Sequence, residues 1–305
     1  MRKLILSILS LSIVMFSNSF AETNFLPYNP KDSVGAKAFT KIDPATVKVE
    51  MKTGLEGIKV NTYLTGAHVS VKAAEEKLKA AGFEIVANYK SVKKGTTIVF
   101  TNDALKAEAA KPMRANAAVL RLFVDDKDKM ISFTNPVYFG KAFMQEEYDH
   151  SVFNGALVSI NSAFPGLKPS KDVWDFDGLA DYHFMISMPY YKDVDTLDQG
   201  PNAELLEKAR KYKKGKQLVF ELKLSDTSTL LGYALGKRTS KFVKKVGRAN
   251  AAILPWCVTI EDNKATALSA KYYIAISYPL LDMNGFMGIM TVPGAVVKDL
   301  EKIFK

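Results

Sequence analysis

Two copies of a polar motif carry the side chains best suited to bind a ligand. Residues 111–120 (KPMRANAAVL) return 134 residues later as residues 245–254 (KVGRANAAIL), and a tyrosine follows each copy at the same spacing. A guanidinium and an amide can bind anions and carbonyl groups. The sequence therefore predicts matching ligand sites at Arg114, Asn116, Tyr138, Arg248, Asn250 and Tyr272. The alternative is that these polar groups satisfy backbone groups at the entrance of a strand.

A group of methionines with one histidine is the candidate metal site. Thioether and imidazole groups are ligands that hold Cu(I). The candidate ligands are His183, Met185, Met188, Met283, Met287 and Met290. Their neighbours Phe286 and Ile289 are apolar, so the same methionines also suit gap filling in a core.

The familiar catalytic motifs are missing or misplaced. Residues 91–94 fit S-x-x-K and residues 52–54 fit K-T-G, but K-T-G comes first, whereas penicillin-recognising enzymes carry it far downstream of the serine. None of the histidines, His68, His150 and His183, lies near a G-x-S-x-G elbow. The sequence also lacks C-x-x-C-H, a P-loop and a dinucleotide fingerprint. No catalytic residue is assigned.

The single cysteine, Cys257, has no partner for an intrachain disulfide. It lies in the apolar, alternating run 254–260, which is typical of a strand. We expect an inert, buried thiol and a fold stabilised by its packed core.

The N-terminus indicates export. Arg2 and Lys3 precede a short apolar run, and Ser19 and Ala21 occupy the −3 and −1 positions of a signal-peptidase site. The run is shorter than the roughly 20 residues of a membrane-spanning helix. We therefore predict cleavage after Ala21, a periplasmic mature protein and no transmembrane anchor.

The charge is mildly basic. Removing Arg2 and Lys3 lowers the formal net charge from +10 to about +8. This favours a weak attraction to anionic surfaces, and export makes nucleic acid an improbable partner. The densest basic cluster comprises Lys208, Arg210, Lys211, Lys213, Lys214 and Lys216. It suits either an anion site or the solvated end of a helix.

The repeated motif also predicts the organisation of the chain. A second match relates residues 93–95 (KKG) to residues 213–215 at an offset of 120. Compared with the offset of 134 for the first motif, this implies about 14 extra residues between the two landmarks in the second copy. A period this long indicates tandem domains, not a solenoid. The predicted organisation is a signal peptide at 1–21, an N-terminal extension at 22–54, a first domain at 55–165, a linker at 166–180 and a second domain at 181–305.

Each copy combines helical and strand periodicity. The spacing predicts a helix over 71–81, with a counterpart near 202–212. Strands are predicted at 97–101, 117–124 and 130–134, at 182–188, and at 217–224, 251–260 and 265–277. Short charged turns join neighbouring strands, which favours an α+β fold of two similar domains, each a mainly antiparallel sheet packed by helices.

Three features of the chain are typical of a known family. They are residues 80–83 (AAGF), the strand after them and the apolar strand pair ending near Asn135-Pro136. In these features the chain resembles the domain-of-unknown-function 302 family. The resemblance covers both halves, although the second has no Asn-Pro at the corresponding place. It implies a TATA-binding-protein-like α+β fold, with one helix after the first strand and one after the last. It carries no catalytic residues.

From the sequence we expect a non-enzymatic periplasmic protein that binds a small ligand or a protein partner, in a groove or between its two halves. One alternative is an enzyme whose site assembles only in three dimensions. Another is a periplasmic copper or haem carrier.

Overall fold

The computed structural model describes residues 53–305. The predicted signal peptide and nearly all of the predicted N-terminal extension lie outside these residues. Two large antiparallel sheets packed by helices, with a third sheet of two strands, make up the described chain, which confirms the α+β prediction. We call residues 53–180 the first half and residues 181–305 the second half. Among residues 53–305, no helix has the length and apolar character needed to cross a bilayer.

The first half is built around a six-stranded antiparallel sheet with the order β3-β4-β5-β6-β2-β7, beside a short β1–β8 pair. Its strands are β1 (Lys59–Asn61), β2 (Tyr63–Ala67), β3 (Glu84–Val92), β4 (Gly95–Thr101), β5 (Leu120–Asp125), β6 (Met130–Thr134), β7 (Lys168–Pro169) and β8 (Val173–Asp175). Its helices are α1 (Val71–Ala80), α2 (Asp103–Ala109), α3 (Pro136–Met144) and α4 (His150–Ala163). Strands β7 and β8 fall in the segment expected to be a linker.

The second half repeats this plan with a five-stranded antiparallel sheet. Its strands are β9 (Asp195–Gln199), β10 (Leu218–Lys223), β11 (Ser228–Tyr233), β12 (Trp256–Glu261) and β13 (Lys264–Ala267). Its helices are α5 (Asn202–Lys211), α6 (Val243–Val246), α7 (Ala270–Ser277), α8 (Met283–Met287) and α9 (Val292–Glu301). The order β10-β11-β12-β13-β9 matches β3-β4-β5-β6-β2, so the two halves share one topology.

Local sequence signals explain where the first-half helices begin and end. The Ser70 hydroxyl accepts a hydrogen bond from the backbone N–H of Ala73, which caps α1, and Gly82 follows its end with φ +86°. The predicted helix is therefore confirmed to within one residue. Asn135 caps α3 in the same way and Pro136 fills its first position, where a missing N–H costs nothing.

Three strand predictions in the second half are wrong. Residues 182–188 form no strand, and the half opens with β9 instead. The predicted strand 251–260 begins as the 3-10 segment Arg248–Ile253, and the predicted strand 265–277 ends in α7. Helix α7 is buried on nearly every side. A helix of that kind loses the polar stripe that marks a helical period.

The match between the two KKG segments is also misleading. Gly95 pairs with Asp125, and Ser228 pairs with Glu261 at the same place in the other sheet. Lys93 and Lys94 thus lie in the β3–β4 turn, whereas residues 213–215 precede β10. Because Gly95 and Ser228 are 133 residues apart and the repeated motifs are 134 apart, the second half has no 14-residue insertion between this point and the motif.

The two halves interlock through their repeated motifs. The 3-10 segment Ala115–Ala118 of the first half packs against β11 and β12, and Arg248–Ile253 packs against β3, β5 and β6. The small side chains of these segments are buried, so each segment approaches the opposite sheet closely. One hydrophobic core therefore runs through both halves.

Candidate functional site

Arg248, from the second copy of the motif, is bound by the first half. Its Nε and Nη2 donate to the two carboxylate oxygens of Asp125, each at 2.8 Å. Nη2 also donates to the carbonyls of Lys93 and Lys94, each at 3.0 Å. Asp125 is fully buried. The pair is a bidentate salt bridge between the halves.

The environment of Asp125 keeps its carboxylate ionised. Burial alone would raise the pKa of Asp125, but the hydrogen bonds from Arg248 and from the backbone N–H groups of Asp128 and Lys127 outweigh it. The net pKa lies below the ordinary value. At neutral pH this carboxylate is a salt-bridge partner, not a proton donor.

Arg114, the equivalent arginine of the first half, has different partners. Its Nη2 donates to Glu146 Oε1 at 3.0 Å, and its guanidinium carbon lies 5.8 Å from the ring centre of Tyr191. Its buried Nε has no hydrogen-bond partner among residues 53–305. Glu261, which corresponds to Asp125, accepts a hydrogen bond from the backbone N–H of Met113 at 2.9 Å.

The two asparagines of the motif also differ. Asn250 Nδ2 donates to Asp172 Oδ2 at 3.1 Å, which ties the second half to the segment after α4. Asn116 lines a cleft near Tyr191. Only the first asparagine therefore faces a space that a ligand could occupy.

The two tyrosines form a reciprocal contact between α3 and α7. The Tyr138 hydroxyl donates to the carbonyl of Ile276 at 3.0 Å, and the Tyr272 hydroxyl donates to the carbonyl of Ala142 at 3.3 Å. The acceptor Ile276 lies four residues after Tyr272 on α7, and the acceptor Ala142 lies four residues after Tyr138 on α3. Burial raises the pKa of both tyrosines well above the ordinary value. They hold the two helices together, and neither of them lines the clefts described below.

A cleft of about 210 Å³ lies at the boundary between the halves. Its floor is one face of the second sheet, where Thr196 on β9, Thr266 on β13 and Thr259 on β12 are direct cross-strand neighbours. Glu261 and Lys264 form the next pair on the same face of the sheet, and Met113, Asn116, Tyr191 and Asp262 line other parts of the wall. We call this space the threonine cleft.

The β12–β13 turn sets the register of this floor. Asp262 and Asn263 both have positive φ, at +48° and +61°. A two-residue hairpin turn of this kind fixes which residues face each other across the strands. It places Glu261 opposite Lys264 and Thr259 opposite Thr266.

The two halves differ at the sheet position of Thr259. Thr97 pairs with Phe123 in the first sheet, and Leu230 pairs with Thr259 at the same place in the second. Phe123 is fully buried, with the Arg248 guanidinium carbon 5.9 Å from its ring centre. At the equivalent position, the smaller Thr259 leaves room for the cleft.

Sequence reasoning missed Tyr191 and the three threonines. The Tyr191 hydroxyl donates to the carbonyl of Met113 at 2.6 Å, and burial raises the pKa of this tyrosine. A threonine suits any half-buried strand, so the composition of the strands gave no signal. Only the register of β9, β12 and β13 aligns the hydroxyl groups.

A second cleft, of about 560 Å³, lies between the first half and the region of α6. Its lining consists of Lys93, Lys94, Lys127, Asp128, Lys244 and Arg248. We call it the lysine cleft. Of the predicted ligand residues, only Arg248 lines it.

The candidate metal ligands lie mainly at the surface. Met185, Met283, Met287 and Met290 are between 41% and 59% exposed, so the core-packing interpretation is wrong for these four. Met188 is half-buried, and the His183 ring lies 4.4 Å from that of Tyr190. A stack between Phe184 and Phe286, with ring centres 5.2 Å apart, joins the two methionine-bearing segments.

Cys257 is buried, as expected. Burial raises the pKa of its thiol, although Arg121 acts in the opposite direction. Arg121 Nη2 donates to Cys257 Sγ at 3.0 Å. A buried thiol with a raised pKa is a poor nucleophile.

Carboxylates pair with much of the basic cluster around α5. Lys208 contacts Asp198 at 2.7 Å, Arg210 Nε donates to Glu221 at 2.8 Å, and Lys211 pairs with Glu207. These contacts favour the interpretation of this cluster as a solvated helix end.

Three comparisons with known proteins add no relative. No protein-family model, curated protein or solved structure matches the chain. The resemblance to the domain-of-unknown-function 302 family thus stays a prediction, and function must be inferred from the two clefts.

Proposed function

We propose that this protein is an exported, non-enzymatic binding protein that holds a small polar ligand in the threonine cleft. The observation that carries the proposal is the row of three threonine hydroxyls beside Glu261 and Lys264, with Thr259 at the sheet position that Phe123 holds in the other half. Clefts between similar halves are common ligand sites.

The lining favours a small zwitterion, such as a free amino acid. Glu261 Oε1 accepts no hydrogen bond from residues 53–305, and Lys264 forms no ion pair with them. The two side chains can therefore bind an ammonium and a carboxylate group, while the threonine hydroxyls donate and accept hydrogen bonds. The volume is below the roughly 300–1,000 Å³ of drug-sized pockets, which suits a small metabolite.

Two features support a binding role over a catalytic one. The best-placed arginine and carboxylate, Arg248 and Asp125, are joined in a salt bridge that lowers the pKa of Asp125. The lone thiol, Cys257, is buried with a raised pKa. An enzyme remains the alternative, and turnover of a bound ligand would favour it.

The cellular location of the protein and its family are also proposals. The charged, apolar and small-residue segments within residues 1–21 support export to the periplasm. In the five-strand order that the two halves share, a helix follows the first strand and another follows the last, as in β2-α1 and β6-α3. This order supports membership of the domain-of-unknown-function 302 family and its TATA-binding-protein-like fold.

Replacing Thr259 with phenylalanine is expected to abolish ligand binding without unfolding the protein. The change reproduces the residue that the first sheet already holds at this position, so it fills the cleft with a side chain that suits the fold. Isothermal titration with the twenty protein amino acids, each tested singly, measures the effect.

A second variant and a control complete this experiment. Lys264→Ala is expected to weaken binding by about tenfold to a hundredfold through loss of a charged hydrogen bond. Lys223→Ala removes an exposed lysine from β10 of the same sheet, outside the cleft, and is expected to bind like the wild type. The proposal for amino acids is wrong if none binds, or if a bound one is unaffected by Thr259→Phe.

The exposed methionines favour a second candidate function, Cu(I) binding. Met283 and Met287 lie four residues apart on α8, so their thioethers share one face of that helix, and Met290 follows in the turn after it. Surface thioethers are accessible to a soft metal ion, whereas core methionines are not.

The Cu(I) candidate predicts that the protein takes copper from a chromogenic Cu(I) chelator under reducing conditions. Met283→Leu with Met287→Leu keeps the apolar surface but removes two sulfur atoms, and is expected to abolish the transfer. Met113→Leu alters an exposed methionine outside the group and serves as the control. Equal transfer by all three proteins would exclude these ligands.

A further inference from the structure

The lysine cleft concentrates positive charge from both halves. Lys93 and Lys94 come from the β3–β4 turn and Lys127 from the β5–β6 turn, while Lys244 and Arg248 come from the second half. Asp128 is the only carboxylate among the lining side chains of this cleft. Like charges held close together repel one another and attract an anion.

Most of this charge has no counter-charge within residues 53–305. Lys93, Lys94 and Lys244 form no ion pair there, and Lys127 contacts only its neighbour Asp128, at 3.1 Å. An exposed pair of that kind contributes little. In the basic cluster around α5, three of the six cations are paired with carboxylates.

Arg248 fixes the shape of the lysine cleft. It holds the β3–β4 turn through the carbonyls of Lys93 and Lys94, and Lys94 has the left-handed φ of +55°. The hydrogen bonds of Arg248 to residues 53–305 all come from Nε and Nη2. Its Nη1 makes none to these residues. An anion in the cleft would therefore meet a preorganised guanidinium donor.

The other half has no equivalent of this charge. Lys93 and Lys94 correspond to Asp226 and Thr227, because Gly95 and Ser228 occupy the same place in the two sheets. The β12–β13 turn is two residues long and lacks a lysine at the position of Lys127. The corresponding turns of the second half therefore supply no equivalent basic lining.

We propose that the lysine cleft binds a compact polyanion that carries phosphate groups, on a soluble metabolite or on a lipid headgroup. Lysine ammonium groups and an arginine fork are the side chains that bind phosphate. The cleft volume of about 560 Å³ has room for a diphosphate. This site is separate from the threonine cleft, and the proposal does not depend on the function given there.

Isothermal titration with inorganic pyrophosphate tests the soluble form of the ligand. Lys93→Gln with Lys94→Gln removes two charges from the cleft, and we expect binding to weaken by about tenfold. Lys208→Gln with Lys211→Gln removes the same charge from α5 and is the matched control, expected to bind like the wild type. Lys244→Gln, on a different element, gives an independent check.

Flotation with vesicles of phosphatidylcholine, with and without phosphatidylglycerol, tests the lipid form. The proposal is supported if the wild type and the α5 control bind pyrophosphate or the anionic vesicles and the cleft variants do not. Which of the two probes binds identifies the source of the phosphate. Absence of binding to both probes overturns it. Equal weakening in the cleft variants and in the α5 control also overturns it, because net charge alone would then explain the attraction.

Discussion

Replacing Asp125 with alanine is expected to lower the free energy of unfolding by about 3–5 kcal/mol. The fully buried carboxylate accepts two hydrogen bonds from Arg248 and two from the backbone N–H groups of Lys127 and Asp128. Its removal leaves a largely buried guanidinium without its carboxylate and releases the turn that carries Lys127. Chemical denaturation of both proteins measures the difference.

The chain supplies a matched control for this experiment. Glu261 occupies the equivalent strand position in the second half, but the only hydrogen bond it accepts from residues 53–305 comes from the N–H of Met113. Glu261→Ala is therefore expected to cost about 1 kcal/mol. Equal losses for the two variants would contradict the salt bridge between the halves.

The effect of Asp125→Ala is expected to depend on pH. The pKa of Asp125 is lowered in the folded protein, so its carboxylate stabilises the fold above the unfolded pKa of about 3.9. This contribution is lost as the pH falls through the folded pKa. The stability difference between wild type and variant should stay constant from about pH 7 to pH 5 and shrink below about pH 4.

Each half produced alone is expected to lack a cooperative unfolding transition. The 3-10 segment of each half packs against the sheet of the other, and one core runs through both. Separation exposes Ala115, Ala117 and Ala118 on one side, and Ala251, Ala252 and Ile253 on the other. A domain that is stable alone needs its own complete core.

Circular dichroism of residues 53–180 and of residues 181–305, each heated separately and then mixed, measures this dependence. We expect broad transitions for the separate halves and a sharp one after mixing. A sharp transition for either half alone would show that the halves are independently folding domains. The segment 166–180 belongs in the first piece because β7 and β8 pair with β2 and β1.

The sequence predicted those features that depend on local or repeated patterns. Helix α1 followed from the Ser70 cap and the helical spacing of Ala74 and Leu78. The α+β class followed from alternating periods and charged turns, and the similarity of the halves from the repeated RANAA segment. The burial of Cys257 followed from its apolar strand.

The remaining features depend on contacts that no local pattern encodes. Helix α7 was mistaken for a strand because burial on nearly all sides removes its polar stripe. The threonine cleft requires the cross-strand alignment of Thr196, Thr259 and Thr266. The different partners of Arg114 and Arg248 likewise arise only once the halves interlock, although the two copies of the motif are nearly identical.

Ligand binding in the threonine cleft is tested most directly by native mass spectrometry. The wild type and the Thr259→Phe variant would be isolated without refolding from the cells that naturally make this protein. We expect a reproducible added mass of metabolite size on the wild type and a bare chain for Thr259→Phe. A bare wild-type chain, or an added mass that Thr259→Phe retains, would contradict the proposed function.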